Sequence, residues 1–253
     1  MMIDTHCHLS IDDYDNIDEV INKMGNNLIF ISGSNSKYNK EVLTLIDKYS
    51  NVYGTLGIHP EEVNNVTEED LRFIEQNIDN PKIIGIGEIG LDYYWGKENK
   101  DKQREIFIKQ LQLAEKYNKP AVIHSREAAN ETYNILKEHP GVTKSIIHCY
   151  SYSLEMAREF IKLGAMLGIG GILTFKNSVK LKEVVKEIDL KYLLLETDSP
   201  YLSPEPHRGK KNEPYNIIYV AKEISKIKNI SYEEVLDITT RNAIRQFDLK
   251  SKL

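Results

Sequence analysis

The N-terminal stretch Met2–Leu9 reads M-I-D-T-H-C-H-L, and the interpretation of the whole chain starts from it. It is a short apolar run that ends in a His-x-His pair, His6 and His8. Side chains two positions apart on an extended strand point to the same face, so both imidazoles project the same way. Two imidazoles on one face can bind one divalent metal ion. Such pairs also occur on protein surfaces that bind no metal. The pair therefore indicates a metal site only together with the other possible ligands in the sequence.

Short apolar, β-branched runs alternate with amphipathic helical patterns along the chain. The predicted strands are Met2–Thr5, Leu28–Ser32, Val52–Leu56, Ile83–Gly87, Ala121–Ile123, Ser145–Ile147, Ala165–Ile169 and Tyr192–Leu195. The predicted helices are Ile17–Met24, Asn39–Tyr49, Glu68–Asn77, Lys102–Tyr117, Ala128–Glu138, Leu154–Lys162, Ser178–Ile188, Asn216–Lys226 and Tyr232–Phe247. Thr67 and Ser231 stand where capping boxes would begin two of these helices.

Eightfold strand–helix alternation predicts parallel strands joined by helical crossovers. In about 250 residues, eight such units close naturally into a (β/α)₈ TIM barrel with its active site at the C-terminal ends of the strands. We therefore predict an α/β fold of this type, with residues 1–253 as a single domain. A doubly wound open sheet is the alternative. It more often has a Gly-rich phosphate turn after the first strand, where this chain has His-Cys-His.

Charge and cysteine content narrow the functional classes. The formal net charge of −5 provides no general attraction for nucleic acid or acidic membranes, so a polyanionic substrate would have to be bound locally. Two cysteines, Cys7 and Cys149, are too few for a disulfide framework and fit a reducing compartment. The sequence shows neither a signal-peptide pattern nor an apolar stretch of membrane-spanning length. We expect a cytoplasmic protein that does not associate with membranes.

The ends of the predicted strands carry polar residues that could form one site. They are His6 and His8 after the first strand, His59 after the third, Glu88 and Asp92 after the fourth, His124 and Arg126 after the fifth, His148 after the sixth, Lys176 after the seventh, and Glu196 and Asp198 after the eighth. Five of the seven histidines lie at such ends. Random scatter would place most of them elsewhere, so their coincidence predicts a site.

The chemistry of these side chains indicates metal-assisted hydrolysis. Imidazole and carboxylate together suit Zn²⁺, Mn²⁺, Fe²⁺ or Mg²⁺. Four imidazoles and two carboxylates exceed what one tetrahedral ion binds, and they suit two ions bridged by a carboxylate and by water. Such a pair lowers the pKa of bound water and stabilises the attacking and leaving oxygens of a displacement.

Several motifs give the chain a family resemblance. They are D-T-H-C-H-L, G-I-H-P, G-E-I-G-L-D, H-S-R, H-C-Y and E-T-D-S-P-Y-L, together with G-G-I-L-T-F-K and P-H-R-G-K-K-N-E-P. With these motifs the chain resembles the TatD-type metal-dependent deoxyribonucleases of the amidohydrolase-like barrel superfamily, over essentially its whole length. One motif reads H-C-Y where the family often has H-C-F, which leaves the ligand unchanged.

The resemblance implies a ligand set for two divalent ions, which could be Mg²⁺, Mn²⁺ or Zn²⁺. It implies that His6, His8 and Glu88 hold one ion, with Asp198 beside it. It implies that Glu88, His124 and His148 hold the second.

The resemblance also implies catalytic roles and a substrate. Asp198, Glu88 and His59 would be the catalytic residues. Asp198 would take a proton from the metal-activated water, and His59 would lie near the scissile phosphate. The expected activity is that of a deoxyribonuclease, a 3′–5′ exonuclease acting on DNA or a nucleotide-type substrate. The expected oligomeric state is a monomer.

Phosphate contacts are predicted on physical grounds, since guanidinium and ammonium groups pair with phosphate. The candidates are Arg126, Lys176 and Arg208. The aromatic run Tyr93–Trp95 after Glu88 either stacks an unpaired base or covers the mouth of the barrel.

Two other functions remain open from the sequence. One is hydrolysis of a lactone, amide or ester, which a carboxylated lysine at the fourth or fifth strand would favour; these strands instead end in Glu88 and His124. The other is a non-enzymatic metal-binding barrel, which the loss of a ligand would favour; none is missing.

Overall fold

The fold is a (β/α)₈ barrel, as the alternation predicts. A computed structural model describes residues 1–95 and 97–249. Its eight strands stand in the sheet in chain order, and the register pairings β1–β2, β3–β4, β4–β5, β5–β6 and β7–β8 are parallel. The strands are β1 (Ile3–Cys7), β2 (Leu28–Ser32), β3 (Val52–Leu56), β4 (Ile83–Asp92), β5 (Ala121–Arg126), β6 (Ser145–Ile147), β7 (Met166–Ile169) and β8 (Leu193–Leu195).

Helices follow the strands, with bounds close to those predicted. They are α1 (Ile17–Asn22), α2 (Ser36–Lys48), α3 (Glu68–Asn77), α4 (Lys100–Lys116), α5 (Ala129–Glu138), α6 (Leu154–Lys162), α7 (Val179–Glu187), α8 (Ile217–Lys228) and α9 (Tyr232–Gln246). Within the described part of the chain, none of these helices combines the length and the hydropathy needed to cross a bilayer. The extent of the single domain over 1–253 stays a prediction, and its residues 96 and 250–253 lie outside the described part.

Strands β4 and β5 are longer than predicted. The sequence predicts that β4 ends at Gly87, but the strand continues through I-I-G-I-G-E-I-G-L-D to Asp92. Its glycines allow close approach of the neighbouring backbone. A Cβ on Gly90, whose φ is +139°, would lie 2.0 Å from the carbonyl oxygen of His124. The extended register pairs Gly90 with His124 and Asp92 with Arg126, so these residues lie within strands and not after them.

The chain packs as two compact units. The first consists of Met1–Ile31, His148–Ile161 and the residues from Met166 onward, and the second of Ser32–Ile147 and Lys162–Ala165. In the first unit β1 lies beside β8, where the Thr5 hydroxyl donates to the Leu195 carbonyl at 2.9 Å. The apolar residues of both strands are buried, so this part of the core is formed by opposite ends of the sequence.

Buried amides fix the loops of the second unit. The Gln110 side chain on α4 accepts a hydrogen bond from the Ile58 N–H at 2.7 Å and donates to the Ile58 carbonyl at 3.1 Å. Asn39 on α2 binds both main-chain groups of Gly57 in the same way. These bonds satisfy main-chain groups that would otherwise be buried without partners, and they position the residues that follow β3.

Helix caps agree with the sequence pattern. At α3 the Thr67 side chain accepts from the Asp70 N–H, and the Asp70 carboxylate accepts from the Thr67 N–H at 2.8 Å, which completes a capping box. At α9 the Ser231 hydroxyl accepts from the Glu234 N–H at 3.1 Å. Both helices therefore begin where the caps predict.

Candidate metal centre

Three donor atoms of the first unit form a compact triangle. His6 Nε2 lies 3.2 Å from His8 Nε2, and Asp198 Oδ1 lies 3.6 Å from the first and 3.7 Å from the second. Four ligands bound at about 2.1 Å to one tetrahedral ion stand about 3.4 Å apart. The spacing and the donor types therefore fit a single divalent ion.

The local backbone explains this placement. His6 is a buried residue of β1. Its carbonyl accepts from the Asp198 N–H at 3.0 Å, and the His8 N–H donates to the Ser199 carbonyl at 2.6 Å. Asp198 has a φ of +55°, a left-handed conformation that aspartate tolerates better than most residues. These two bonds set the end of β1 against the segment after β8, so the three donors are brought together by main-chain pairing.

His148 joins this group from the end of β6. Its ring stacks on that of His6 at a centroid distance of 4.0 Å, and ligand atoms of His6, His148 and Asp198 all lie within 4.8 Å of one another. Behind His148, the Glu196 Oε1 atom lies 3.6 Å from His148 Nδ1. Glu196 is fully buried, and its Oε1 accepts from the Cys149 N–H at 2.5 Å. At 3.6 Å the contact between Glu196 and His148 is longer than a hydrogen bond, so Glu196 acts on the His148 ring through its charge.

A second group of donors lies in the second unit, around Glu88. The Glu88 Oε1 atom lies 2.8 Å from His124 Nδ1 and 3.4 Å from His59 Nε2. These three residues offer ligand atoms within 4.8 Å of one another, and Glu88 is buried. Glu88 comes from β4, His124 from its neighbour β5, and His59 from the residues after β3. Adjacent parallel strands thus bring together the carboxylate and the imidazoles that the sequence predicts.

His59 is held as a neutral hydrogen-bond donor. Its Nδ1 accepts from the Glu61 N–H at 3.2 Å, so in the neutral ring the proton is on Nε2, which faces Glu88. Burial lowers the pKa of His59, an effect that the nearby Glu88 carboxylate opposes and His124 reinforces. A neutral imidazole with an Nε2 proton can donate to an oxygen at neutral pH.

Asp92, one of the polar residues at the predicted strand ends, lies beside His124. Its Oδ2 lies 3.0 Å from His124 Nε2, and its Oδ1 accepts from the N–H groups of Tyr94 and Trp95, both at 2.9 Å. Burial would raise the pKa of Asp92, but the hydrogen bonds with His124 and with these two amides outweigh it and lower the pKa. The ionised carboxylate accepts the His124 Nε2 proton, which leaves Nδ1 as the ligand atom.

Asp4 is a residue whose role the sequence interpretation missed. Its carboxylate accepts from the Thr197 hydroxyl at 2.5 Å and from the Thr197 N–H at 2.9 Å. It is fully buried, and this burial raises its pKa well above the ordinary value. These bonds tie β1 to the residue before Asp198. The D-T-H-C-H and E-T-D motifs contain both partners, but only the fold pairs them.

The three cationic candidates lie on exposed positions. The Arg126 guanidinium lies 4.1 Å from the centroid of the Tyr94 ring, at the end of β5. Lys176 follows the 3₁₀ helix Gly171–Thr174, and the Arg208 guanidinium lies 4.2 Å from the Phe175 ring centroid, beside Lys176 in sequence. Phosphate binding by these side chains stays a prediction.

Comparison with known proteins places the chain in a family. The model of the family described as TatD related DNase matches residues 3–248. An uncharacterized metal-dependent hydrolase of Bacillus subtilis, YabD, is 42% identical over 252 residues, which cover 98% of this chain and 99% of that protein. A second such hydrolase, MJ1582 of Methanocaldococcus jannaschii, is 40% identical over 251 residues, covering 97% and 96% of the two chains.

Solved structures agree with this placement. The TatD homolog YjjV of Escherichia coli has a TM-score of 0.90 at 27% identity, with 98% of each chain covered. A TatD family hydrolase of Entamoeba histolytica has a TM-score of 0.84 at 27% identity, with 97% of each chain covered. Since the family model and these relatives span nearly the whole sequence, the chain belongs to the TatD family of metal-dependent hydrolases.

Proposed function

We propose that this protein is a divalent-metal-dependent deoxyribonuclease that removes nucleotides from DNA ends in the 3′–5′ direction. The triangle of His6, His8 and Asp198 donors, spaced for one ion, is the observation that carries the proposal. The description of the matching family as TatD related DNases supports DNA as the substrate. The Glu88 group supports a second ion.

The proposed ligands follow the family pattern. His6, His8, Glu88 and Asp198 would hold one ion, and Glu88, His124 and His148 the other, with Mg²⁺, Mn²⁺ and Zn²⁺ as the candidate metals. Two divalent ions in such a site supply Lewis acidity toward a phosphoryl oxygen and make water nucleophilic at neutral pH.

We assign the remaining catalytic and binding roles to individual side chains. Asp198, fixed by its main-chain bond to His6, is the base that takes a proton from the attacking water. His59 presents a neutral Nε2–H that donates to a phosphate oxygen or to the leaving oxygen. Arg126, Lys176 and Arg208 bind the phosphates of the strand. Because the net charge is −5, DNA is captured locally by this centre and not by a broad basic surface.

The test is cleavage of single-stranded DNA that carries a fluorophore at either the 3′ or the 5′ end. With Mg²⁺ or Mn²⁺, the 3′ label should leave first as a mononucleotide, while the 5′-labelled strand shortens stepwise. Chelator should abolish both reactions, and Glu88→Gln should lower the rate by about a hundredfold or more because it removes a ligand charge. Asp79→Asn, at an exposed position on the second unit, is the matched control and should cleave normally.

One result would overturn the nuclease proposal. If stoichiometric metal binds and yet no labelled strand is cut with any divalent ion, the substrate is not DNA. A panel of lactones, amides and carboxylic esters would then identify the bond that the centre hydrolyses.

A further inference from the structure

Exposed aromatic rings adjoin the candidate metal centre. Across residues 1–95 and 97–249, the exposed aromatic side chains are Tyr94, Trp95 and Tyr201, with 44%, 63% and 60% of their surface in solvent. The Tyr201 ring lies 6.3 Å from that of His8. Tyr94 and Trp95 bind through their amides to Asp92, the partner of His124. In the second unit, Tyr94 and Trp95 are thus exposed apolar rings beside a polar site, which is a feature of binding surfaces.

Tyr94, Trp95 and Arg126 form what we call the aromatic platform. The Trp95 ring packs edge-to-face on Tyr94, with centroids 4.6 Å apart and planes at 88°. The Arg126 guanidinium lies 4.1 Å from the Tyr94 centroid and 5.8 Å from that of Trp95. The platform thus combines exposed aromatic rings with a positive charge, which is the composition of sites that bind single-stranded nucleic acid.

Hydrogen bonds to the neighbouring strand and helix hold the platform in place. Asp92 Oδ1 accepts both amide protons of the Tyr94–Trp95 segment, and the Tyr93 N–H donates to the Arg126 carbonyl at 2.9 Å. The buried Tyr93 ring anchors the segment through its hydroxyl, which donates to Glu131 at 2.6 Å. Preorganised rings lose little entropy when a ligand stacks on them.

The exposure of these rings decides between the two interpretations of the run Tyr93–Trp95. A cover for the barrel mouth would bury its rings against the strands, and only Tyr93 is buried. Trp95 is the most exposed aromatic side chain in the described part of the chain. The same Asp92 carboxylate binds the backbone of the platform and the His124 ring, so the platform is attached to the strand that supports a proposed metal ligand.

We propose that the aromatic platform is a stacking subsite for an unpaired nucleobase, with Arg126 contacting the phosphate of the same strand. This inference rests on the proposed nuclease function and narrows its substrate to single-stranded or frayed nucleic-acid ends. Stacking does not distinguish among the bases, because each has a π-face. The subsite is therefore independent of sequence.

The single tryptophan of the chain provides a direct test, since Trp95 is the only source of tryptophan fluorescence. Metal-free protein in chelator is titrated with a short oligothymidylate, so that binding is measured without cleavage. Stacking on Trp95 should quench its emission. A strand of the same length with abasic sugars should bind weakly and leave the emission unchanged. A parallel titration with oligouridylate shows whether the subsite distinguishes DNA from RNA.

Variants separate stacking from general binding. With a fluorescent strand and anisotropy as the readout, Trp95→Ala should raise the Kd for oligothymidylate about tenfold, whereas Trp95→Phe, which keeps a ring, should stay within about twofold of wild type. Val179→Ala, at an exposed apolar position on α7, should bind like wild type.

The outcomes distinguish the subsite from the nuclease activity. Equal quenching by the abasic strand, or an unchanged Kd for Trp95→Ala, would overturn the subsite even if the metal-loaded protein cleaves DNA. Base-dependent quenching in a protein that cleaves no strand would uphold the subsite as a binding site and overturn the proposed nuclease function.

Discussion

A single carboxylate, Asp92, supports two features of the candidate site. One oxygen faces His124 Nε2 at 3.0 Å, and the other accepts the amide protons of Tyr94 and Trp95. Gln103 in turn binds both main-chain groups of Asp92, at 2.8 and 3.0 Å. The orientation of His124 thus depends on a residue that binds no metal itself, an arrangement that commonly tunes metal affinity.

We expect Asp92→Asn to weaken metal binding about 10- to 100-fold, because the neutral amide no longer fixes and polarises the His124 ring. Isothermal titration of metal-free protein with Mn²⁺ measures the change, and circular dichroism shows that the variant is folded. Asp79→Asn makes the same chemical change at an exposed position and should bind Mn²⁺ like wild type. An unchanged Mn²⁺ affinity in a folded Asp92→Asn protein would contradict this role.

The sequence could identify His124 but not the role of Asp92. His124 ends an apolar run, and in a barrel that position is enough to predict a site residue. Asp92 lies four positions beyond Glu88 and two beyond Gly90, where an aspartate is typical of a turn or a cap. Its role depends on the continuation of β4 to residue 92, which pairs it with Arg126 in β5.

At the scale of elements, Gly168 in β7 leaves the space that Glu196 occupies. A Cβ on Gly168 would lie 2.0 Å from Glu196 Oε2 and 3.1 Å from the His148 Cα. We expect Gly168→Ala to displace the Glu196 carboxylate, lower the free energy of unfolding by about 1 to 3 kcal/mol and weaken Mn²⁺ binding through His148. Urea unfolding in chelator and calorimetric Mn²⁺ titration measure the two effects.

Gly170 provides the matched control for Gly168. A Cβ there would meet Glu196 at 3.7 Å or more, an ordinary van der Waals contact, and its φ of −111° suits any residue. Gly170→Ala should therefore be close to wild type in both stability and Mn²⁺ affinity. Equal losses in the two variants would show that the effect does not come from the contact with Glu196.

The capping box of α3 predicts a pH dependence. Partial burial would raise the pKa of Asp70, but the hydrogen bonds from the Thr67 side chain and amide outweigh it and lower the pKa below 3.8. A carboxyl whose pKa is lower in the folded protein stabilises it above the unfolded pKa, and the contribution is lost as the pH falls through the folded value. Asp70→Asn should therefore destabilise the protein near neutral pH by about 0.5 kcal/mol, given its exposure to solvent.

Urea unfolding in chelator at pH 7 and at a pH below 3.8 checks this expectation. The difference between wild type and Asp70→Asn should shrink at the lower pH. Glu69→Gln, at the neighbouring exposed position, serves as the control and should show little difference at pH 7. A difference that grows on acidification would rule out the capping explanation.

Strand boundaries show where sequence patterns are sufficient. The bounds of β2, β3 and β6 agree with the prediction, because each strand is rich in apolar and β-branched residues. Strands β4 and β5 continue past their predicted ends. The added residues include Gly90 and Asp92 in β4 and a polar segment in β5, which are unfavourable for strands in isolation. The pairing of the two strands overrides these local preferences. Because the paired residues are far apart in the sequence, a local pattern does not reveal the pairing.

At the scale of the whole molecule, the donor triangle joins distant parts of the chain. His6 lies in the first strand, His8 directly after it, and Asp198 after the last strand. Beside them Thr5 and Leu195, which are 190 positions apart, are hydrogen-bonded. The (β/α)₈ fold predicts that such strand ends meet. The distances within the triangle, and hence its fit to one ion, required the structure, because they depend on the main-chain bonds of Asp198 and His8.

A bound ion that links the two ends of the sequence should stabilise the folded protein. At a free Mn²⁺ concentration of about 100 times the Kd, mass action adds about 2.7 kcal/mol, and for a chain of this size each kcal/mol raises the Tm by about 2 to 4 °C. We therefore expect a rise of about 5 to 10 °C over protein in chelator, measured by differential scanning calorimetry. Asp198→Asn should show a clearly smaller rise, because one corner of the triangle has lost its charge, while Asp79→Asn should show the full rise. An equal rise in wild type and Asp198→Asn would place the stabilising ion away from this triangle.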